Sequence, residues 1–317
     1  MPTSKVYFTD LRTQIGVSQL DKLEKLIRAA GIGDIDFDHK MTAIKIHFGE
    51  PGNLTYLRPN YAKRVADVIK SLGGLPFLTD CNTLYPGRRK NALEHIESAY
   101  ENGFTPYSTG CQVIIADGLK GSDDIEVPVQ GGEYVKTAKI GRAIMDADIF
   151  ISLSHFKGHE MTGFGGTIKN IGMGCGSRRG KMEQHAAGKP NVSAKRCVGC
   201  RQCAKQCAQD AISYGEDRKA SIDHSKCVGC GRCIASCNFD AISAENDAAI
   251  PDLNRKMAEY AKAVVDGRPQ FHISLVIDVS PYCDCHGEND MAILPDVGMF
   301  ASFDPVALDQ ACADACL

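Results

Sequence analysis

Neither charge nor apolar length marks this 317-residue sequence for a nucleic acid or a membrane. Its 36 basic and 39 acidic residues leave a formal charge of −3, which provides no basic surface for a polyanion. The longest apolar runs, Asp148–Leu153 and Ile273–Val279, fall far short of the ~18 residues a membrane span requires. The opening MPTSKVYFTD lacks the apolar stretch of a secretory leader. Together these absences predict a soluble, cytoplasmic protein. The hydrophobic share of 44% is enough for one large or two ordinary domains with a true core.

What the sequence has in quantity is cysteine, fifteen in all. A cytoplasmic protein keeps its thiols reduced, so metal or redox chemistry is expected in place of disulfides. Spacing narrows this further. Cys197-Val-Gly-Cys200-Arg-Gln-Cys203-Ala-Lys-Gln-Cys207 recurs as Cys227-Val-Gly-Cys230-Gly-Arg-Cys233-Ile-Ala-Ser-Cys237, and Asp210-Ala211-Ile212 recurs as Asp240-Ala241-Ile242. Two copies of C-x2-C-x2-C-x3-C are the ligand pattern of two 4Fe–4S clusters. Three cysteines on one tight loop wrap one face of a cube, and the fourth points to the other cluster. Cys197, Cys200, Cys203 and Cys237 are therefore assigned to one cluster, and Cys227, Cys230, Cys233 and Cys207 to the other. Gly199 and Gly229 let the loop backbone approach the sulfurs. Structural zinc would use two C-x-x-C pairs and leave half of these cysteines idle.

This stretch resembles the dicluster bacterial ferredoxins over some fifty residues. It departs at Ala208 and Asn238, where that family usually has a proline that presets the turn. Residues 190–245 hold eight Lys/Arg against six Asp/Glu, a small positive excess that partly balances the charge of the clusters.

Outside this segment, strand-like and helical patterns alternate. Val6–Phe8, Ala43–Phe48, Leu75–Thr79, Val113–Ala116, Ile149–Leu153 and Phe271–Val279 read as strands. Ser18 is placed to cap a helix that Gly31 ends, Pro59 to open a second, and a third is expected from Arg88 to Asn102. Leu253–Val265 and Pro305–Ala315 complete the helices, with Asp304 as an N-cap. Cys312 and Cys316 read as small core residues. The fold class this predicts is α/β with a mostly parallel sheet, discontinuous in sequence: residues 1–189 and 246–317 form one domain, and 190–245 an inserted α+β ferredoxin-like dicluster domain. Two domains in series are the alternative.

Several polar strings follow the expected strands, where ligands bind in open α/β sheets. They are Lys45-Ile-His47-Phe-Gly49-Glu50, Asp80-Cys81-Asn82-Thr83, and Ser154-His155-Phe-Lys157-Gly158-His159. Turns and caps are the plainer reading of the same residues. Gly163 to Lys181 is a glycine-rich string that matches neither the P-loop nor the dinucleotide pattern. With Lys169, Asn170, Arg178, Arg179 and Lys181 it suits a loop that cradles an anion, or a lid. Pro281-Tyr-Cys283-Asp284-Cys285-His286 groups two thiols, a carboxylate and an imidazole. It suits a third metal, a metal-free polar site, or a structural loop. Adjacent positions cannot all reach one ion, so a metal there needs a further ligand, with Cys81, Cys175 or His155 as candidates.

The strings HFGE at His47, CNTLYPG at Cys81, HFKGHEMTGFGG from His155, KNIGMGCGSRRGK from Lys169, PYCDCHG at Cys283 and SFDPVALDQACAD at Ser302 resemble an iron–sulfur family of uncharacterised function, domain of unknown function 362. The resemblance implies an α/β protein, often with a ferredoxin insertion, and carries no reaction. A remoter likeness, at fold level only, is to the nickel-pincer lactate racemase family, and fold does not fix function.

These features lead to an oxidoreductase that moves electrons through two clusters to a small anionic ligand or a further metal ion. His155, Lys157, His159 and His286 are its candidate catalytic residues, and His47, Asn82, Lys169, Asn170, Arg178 and Arg179 its candidate ligand contacts. An external electron donor or acceptor protein is its expected partner. An electron carrier without a substrate, or a sensing or metal-delivery protein, are the competing functions.

Overall fold

The computed structural model describes residues 3–84, 87–185, 190–207, 209–227, 233, 237, 239, 241–244 and 249–317. Seven strands form one sheet in the order Tyr7–Thr9, Gly298–Ser302, Gln270–Val276, Ile149–His155, Met41–Lys45, Leu75–Asp80, Gln112–Ile115. The five from 270–276 to 112–115 run parallel; 298–302 is antiparallel to 270–276, and 7–9 to 298–302. Expectation and structure agree on an α/β chain with a mostly parallel sheet. The sheet draws strands from both sides of the cysteine-rich segment.

Alternation along the strands loads both faces. Ile44, Ile151 and Ile273 join one core cluster with Leu23, Val65 and Ile69 from helices Gln19–Ala29 and Pro59–Ser71. Ala43 and Phe150 join the other with Ile171 and Val264 from helices Thr167–Cys175 and Ala249–Val265. Burying side chains of this size contributes ~1.5–3 kcal/mol each. Ser18 closes a capping box with Asp21, and Pro59 occupies the first turn of its helix. Asp304 accepts from the amides of Val306 and Ala307, and Cys312 and Cys316 belong to an apolar cluster.

Three expectations need correction. The third helix starts at Ala92, not Arg88, with Asn91 as its cap. Arg88 and Arg89 stay outside because their side chains turn to Glu101 and Glu50, and the Arg89 carbonyl accepts from Thr83. The strand read as 43–48 ends at Lys45; Ile46 and Phe48 are buried beyond it, and the Ile46 amide still donates to the Thr79 carbonyl at 3.2 Å. The glycine-rich string is no open anion loop. It folds as a hairpin, Lys157–His159 with Gly163–Gly165, followed by helices Thr167–Cys175 and Arg178–His185. Its glycines serve close packing: a Cβ on Gly172 would lie 2.0 Å from the Met257 carbonyl oxygen, and one on Gly174 2.4 Å from Lys45 Cε.

In the cysteine-rich segment, Pro190–Val192 pairs with Ile242–Ala244 and Ile212–Tyr214 with Ala220–Ile222, both antiparallel, and Gln202–Gln206 is helical. The expected domain junctions fall in 186–189 and 245–248, outside the described residues, as do Tyr85, Ala208, Val228, Gly229, Cys230, Asn238 and Asp240. No helix among the described residues is long and apolar enough to cross a membrane.

Candidate functional site

From strand 41–45 the chain moves outward to 75–80 and 112–115, then crosses to 149–155 and 270–276 on the other side. The order reverses between 41–45 and 149–155, which opens a crevice at their carboxyl ends. Asn170 spans it. Its Nδ2 donates to the carbonyls of Lys45 (3.3 Å) and Leu153 (3.2 Å) and to Ser154 Oγ (3.0 Å), while its Oδ1 accepts from Lys45 Nζ (2.8 Å). Asn170 thus anchors the helix 167–175 over the reversal. Asp309 fixes the start of that helix by accepting from the amides of Thr167 (2.6 Å) and Ile168 (2.8 Å). Replacing Asp309 with alanine is expected to cost ~0.5–2 kcal/mol, with asparagine restoring part of it, read from urea midpoints at unchanged slope. Equal midpoints for Asp309→Ala and the parent would remove Asp309 from this role.

Charged side chains crowd the strand ends, each cation with its own carboxylate. Lys45 lies 3.0 Å from Asp80, Arg89 2.8 Å from Glu50 and Lys157 3.2 Å from Asp284, all largely buried. Burial opposes ionisation of Asp284, but the charges of His155 and Lys157 hold its carboxyl below the ordinary range. His155 is wedged between Asp284 (2.9 Å from Nδ1) and the Ile277 carbonyl (2.7 Å from Nε2). Both ring nitrogens face acceptors, so His155 acts as a strut and offers no lone pair to an ion. His47 accepts from the Gly49 amide through Nδ1, and burial, then Arg89 and Lys157, push it well below the ordinary histidine value.

Above this layer sit two thiols and an imidazole. Ligand atoms of His159, Cys283 and Cys285 all lie within 4.8 Å of one another, a group that could hold a metal ion. Cys283 and Cys285 share a hydrogen bond that pushes the Cys283 thiol up and draws Cys285 down to about 7, where Lys169 and Arg89 assist against burial. Lys169 Nζ donates to Cys283 Sγ at 3.2 Å. Burial opposes its charge, yet the Cys283 and Cys285 sulfurs hold it above the ordinary lysine value. The amides of Met161 and Thr162 point at His159 Nδ1, and burial, then Lys169, lower the ring to about 4.

Other expected site residues lie elsewhere. His286 turns to Glu160 at 3.3 Å. Asn82 is enclosed, donating to Asp117 and to the Gly118 carbonyl. Arg178 fastens the Thr83 and Lys90 carbonyls, and Arg179 pairs with Asp124 and Glu126 at the surface. Cys81 and Cys175 sit in an apolar cluster, the Cys81 thiol against the Cys175 carbonyl, and so do not complete the thiol group. Sequence reasoning missed Arg89 and Glu160. The one available signal was Arg88-Arg89-Lys90 standing just ahead of Asn91, a strong helix cap that leaves those bases outside the helix.

In the cysteine-rich segment, Cys197, Cys200, Cys203 and Cys237 line one cavity with Tyr214, Phe239 and Ile242. The Ala220 amide donates to Cys197 Sγ (3.4 Å), Ala211 to Cys207 (3.4 Å) and Ala241 to Cys237 (3.3 Å). Cys203 Sγ lies 3.1 Å from Tyr214 Oη. Cys233 is buried and Cys227 part-buried.

Fold and site define an α/β protein with a cluster of thiols, an imidazole and lysines at the carboxyl edge of a parallel sheet. The chain belongs to the family described as Domain of unknown function (DUF362), which matches residues 42–314. No curated protein matches it. Among solved structures it is similar to the lactate racemase apoprotein from Thermoanaerobacterium thermosaccharolyticum, at 12% identity and a TM-score of 0.43, covering 85% of this chain and 47% of that one. It is also similar to a Thermotoga maritima structural-genomics target, at 12% identity and a TM-score of 0.45, covering 97% of this chain and 60% of that one. The chain thus spans about half the length of the racemase.

Proposed function

We propose that this protein is a cytoplasmic iron–sulfur oxidoreductase. Residues 190–245 are an inserted ferredoxin-like module for two 4Fe–4S clusters, and the α/β part, 1–189 with 246–317, holds a small anionic ligand or a metal at its strand ends. An external electron donor or acceptor protein completes the system.

One observation carries this reading: Cys237 of the second repeat lines the same cavity as Cys197, Cys200 and Cys203 of the first. The exchange of the fourth cysteine between repeats is the dicluster arrangement. The residues fit the group in their chemistry as well. Amides of Ala211, Ala220 and Ala241 aim at sulfurs, and a donor at sulfur favours the thiolate that binds iron. Tyr214 adds a hydroxyl near Cys203, while Phe239 and Ile242 restrict water. Cys197, Cys200, Cys203 and Cys237 would hold one cluster, and Cys227, Cys230, Cys233 and Cys207 the other. When bound, such clusters supply one-electron transfer.

Lys157 is neutralised by Asp284, so Lys169 is the cation beside the thiols, which His159 faces. His155, engaged at both nitrogens, positions Asp284 and not a substrate. The test is an iron and sulfide count on the anaerobically isolated chain. About eight of each are expected, with a paramagnetic signal on reduction. Zinc in their place, or no metal, sinks the reading.

A further inference from the structure

We infer that the α/β part binds one thiophilic divalent cation through Cys283, Cys285 and His159, with Lys169 as the outer partner of the Cys283 sulfur and one coordination position left for an anionic ligand. This rests on the reading above for the existence of a ligand site at the strand ends; it does not need the clusters.

Charge pairing is the first argument. Lys45, Arg89 and Lys157 each lie beside a carboxylate, Asp80, Glu50 and Asp284. The part-buried Lys169 instead faces the Cys283 sulfur at 3.2 Å. That sulfur accepts from the Lys169 ammonium, so a cation already stands beside the thiol pair. A second sulfur, Cys285, sits within 4.8 Å of the first. The two sulfurs share a hydrogen bond, and a bound dication would take the place of the shared proton, which is released to solvent.

Geometry is the second. The Cys283–Cys285 loop follows strand 270–276, while His159 comes from the hairpin after strand 149–155, so neighbouring parallel strands deliver all three ligands to one point. The adjacent His286 is turned to Glu160, which answers the difficulty of i, i+2 and i+3 ligands: the imidazole comes from another segment. Two sulfurs and one imidazole select zinc or another borderline first-row dication over magnesium or calcium. Three protein ligands are the number found where a metal keeps an open position.

His159 is the weakest ligand of the three. Its one lone pair, on Nδ1, accepts from the Met161 and Thr162 amides, so an ion must take that lone pair from them while the ring proton stays on Nε2.

The test uses the full-length chain, isolated anaerobically, incubated with Zn(II), desalted and analysed for metals. Wild type is expected to retain about one dication per chain beyond what the double variant Cys283→Ser/Cys285→Ser retains, with iron equal in the two. Lys169→Met should weaken zinc affinity ~10–100-fold, and His159→Ala less than loss of either cysteine. Should the double variant fail to fold, X-ray absorption at the zinc edge of wild type decides: sulfur at ~2.3 Å with nitrogen at ~2.0 Å supports the site. A shell without sulfur, or equal metal in wild type and double variant, overturns it. A chain without iron that still loses zinc in the double variant keeps this site and removes the clusters.

Discussion

Replacing Asp284 with asparagine is expected to destabilise the protein by about 3–5 kcal/mol, the usual cost of removing one member of a buried ion pair. Asp284 is fully buried, accepts from His155 Nδ1 through both oxygens (2.9 and 3.0 Å), and lies 3.2 Å from Lys157. Asparagine preserves the shape but removes the charge that both partners face. Its amide nitrogen, a donor, would meet one of them. Urea midpoints at unchanged slope measure the effect. Lys157→Met in the same background should cost less than it does alone, because the cation it removes has already lost its partner. A loss below about 1 kcal/mol for Asp284→Asn, or strict additivity, would refute the pairing.

Acidification from pH 7 to pH 5 is the second large effect. His95 and His272 are fully buried, and burial lowers both rings to about 3, against the partly compensating charge of Asp80 for His95 and Asp304 for His272. His272 needs no charge to satisfy its surroundings: neutral, it accepts from Ser152 Oγ and donates to Gln270 Oε1. The unfolded chain takes up protons near pH 6.5 that the folded chain refuses, so stability falls as pH drops below that value and continues falling to about 3. At pH 5 each ring accounts for about 2 kcal/mol, about 4 together. His95→Leu should remove about 2 kcal/mol of the pH-dependent loss, one share beside those of His272, His47, His159 and His185, whose rings burial also lowers; a variant with the parent's full slope would show that His95 titrates normally.

The strands were legible because both faces of the parallel sheet are buried, which leaves short apolar runs bounded by turns. The same rule overshot at Ile46 and Phe48, whose burial continues past the last paired residue of the strand, Lys45. Helix 167–175 was hidden for the opposite reason. Glycine weakens a helix locally, so a string with Gly172 and Gly174 reads as a loop until the Met257 carbonyl and Lys45 that crowd it are known. Cys283, Cys285 and Lys169 stood out by residue type. That His159, and not the neighbouring His286, joins the thiols depends on pairing between strands 149–155 and 270–276, which local pattern does not encode. Arg178 and Arg179 were credited to an anion site by charge alone; their carbonyl and carboxylate partners lie far off in sequence.

Residues 156–269 separate two hydrogen-bonded neighbours of the sheet, strands 149–155 and 270–276. During synthesis the whole cysteine repeat therefore leaves the ribosome before the strand that completes the parallel ladder exists. Contacts within the repeat are local, whereas pairing 270–276 with 149–155 must close a long loop, a slow step. On the proposed reading, cluster assembly and closure of the sheet are thereby set in temporal order, and a shortage of iron during translation would leave the cysteine repeat unfilled while the last parallel strand seeks its place.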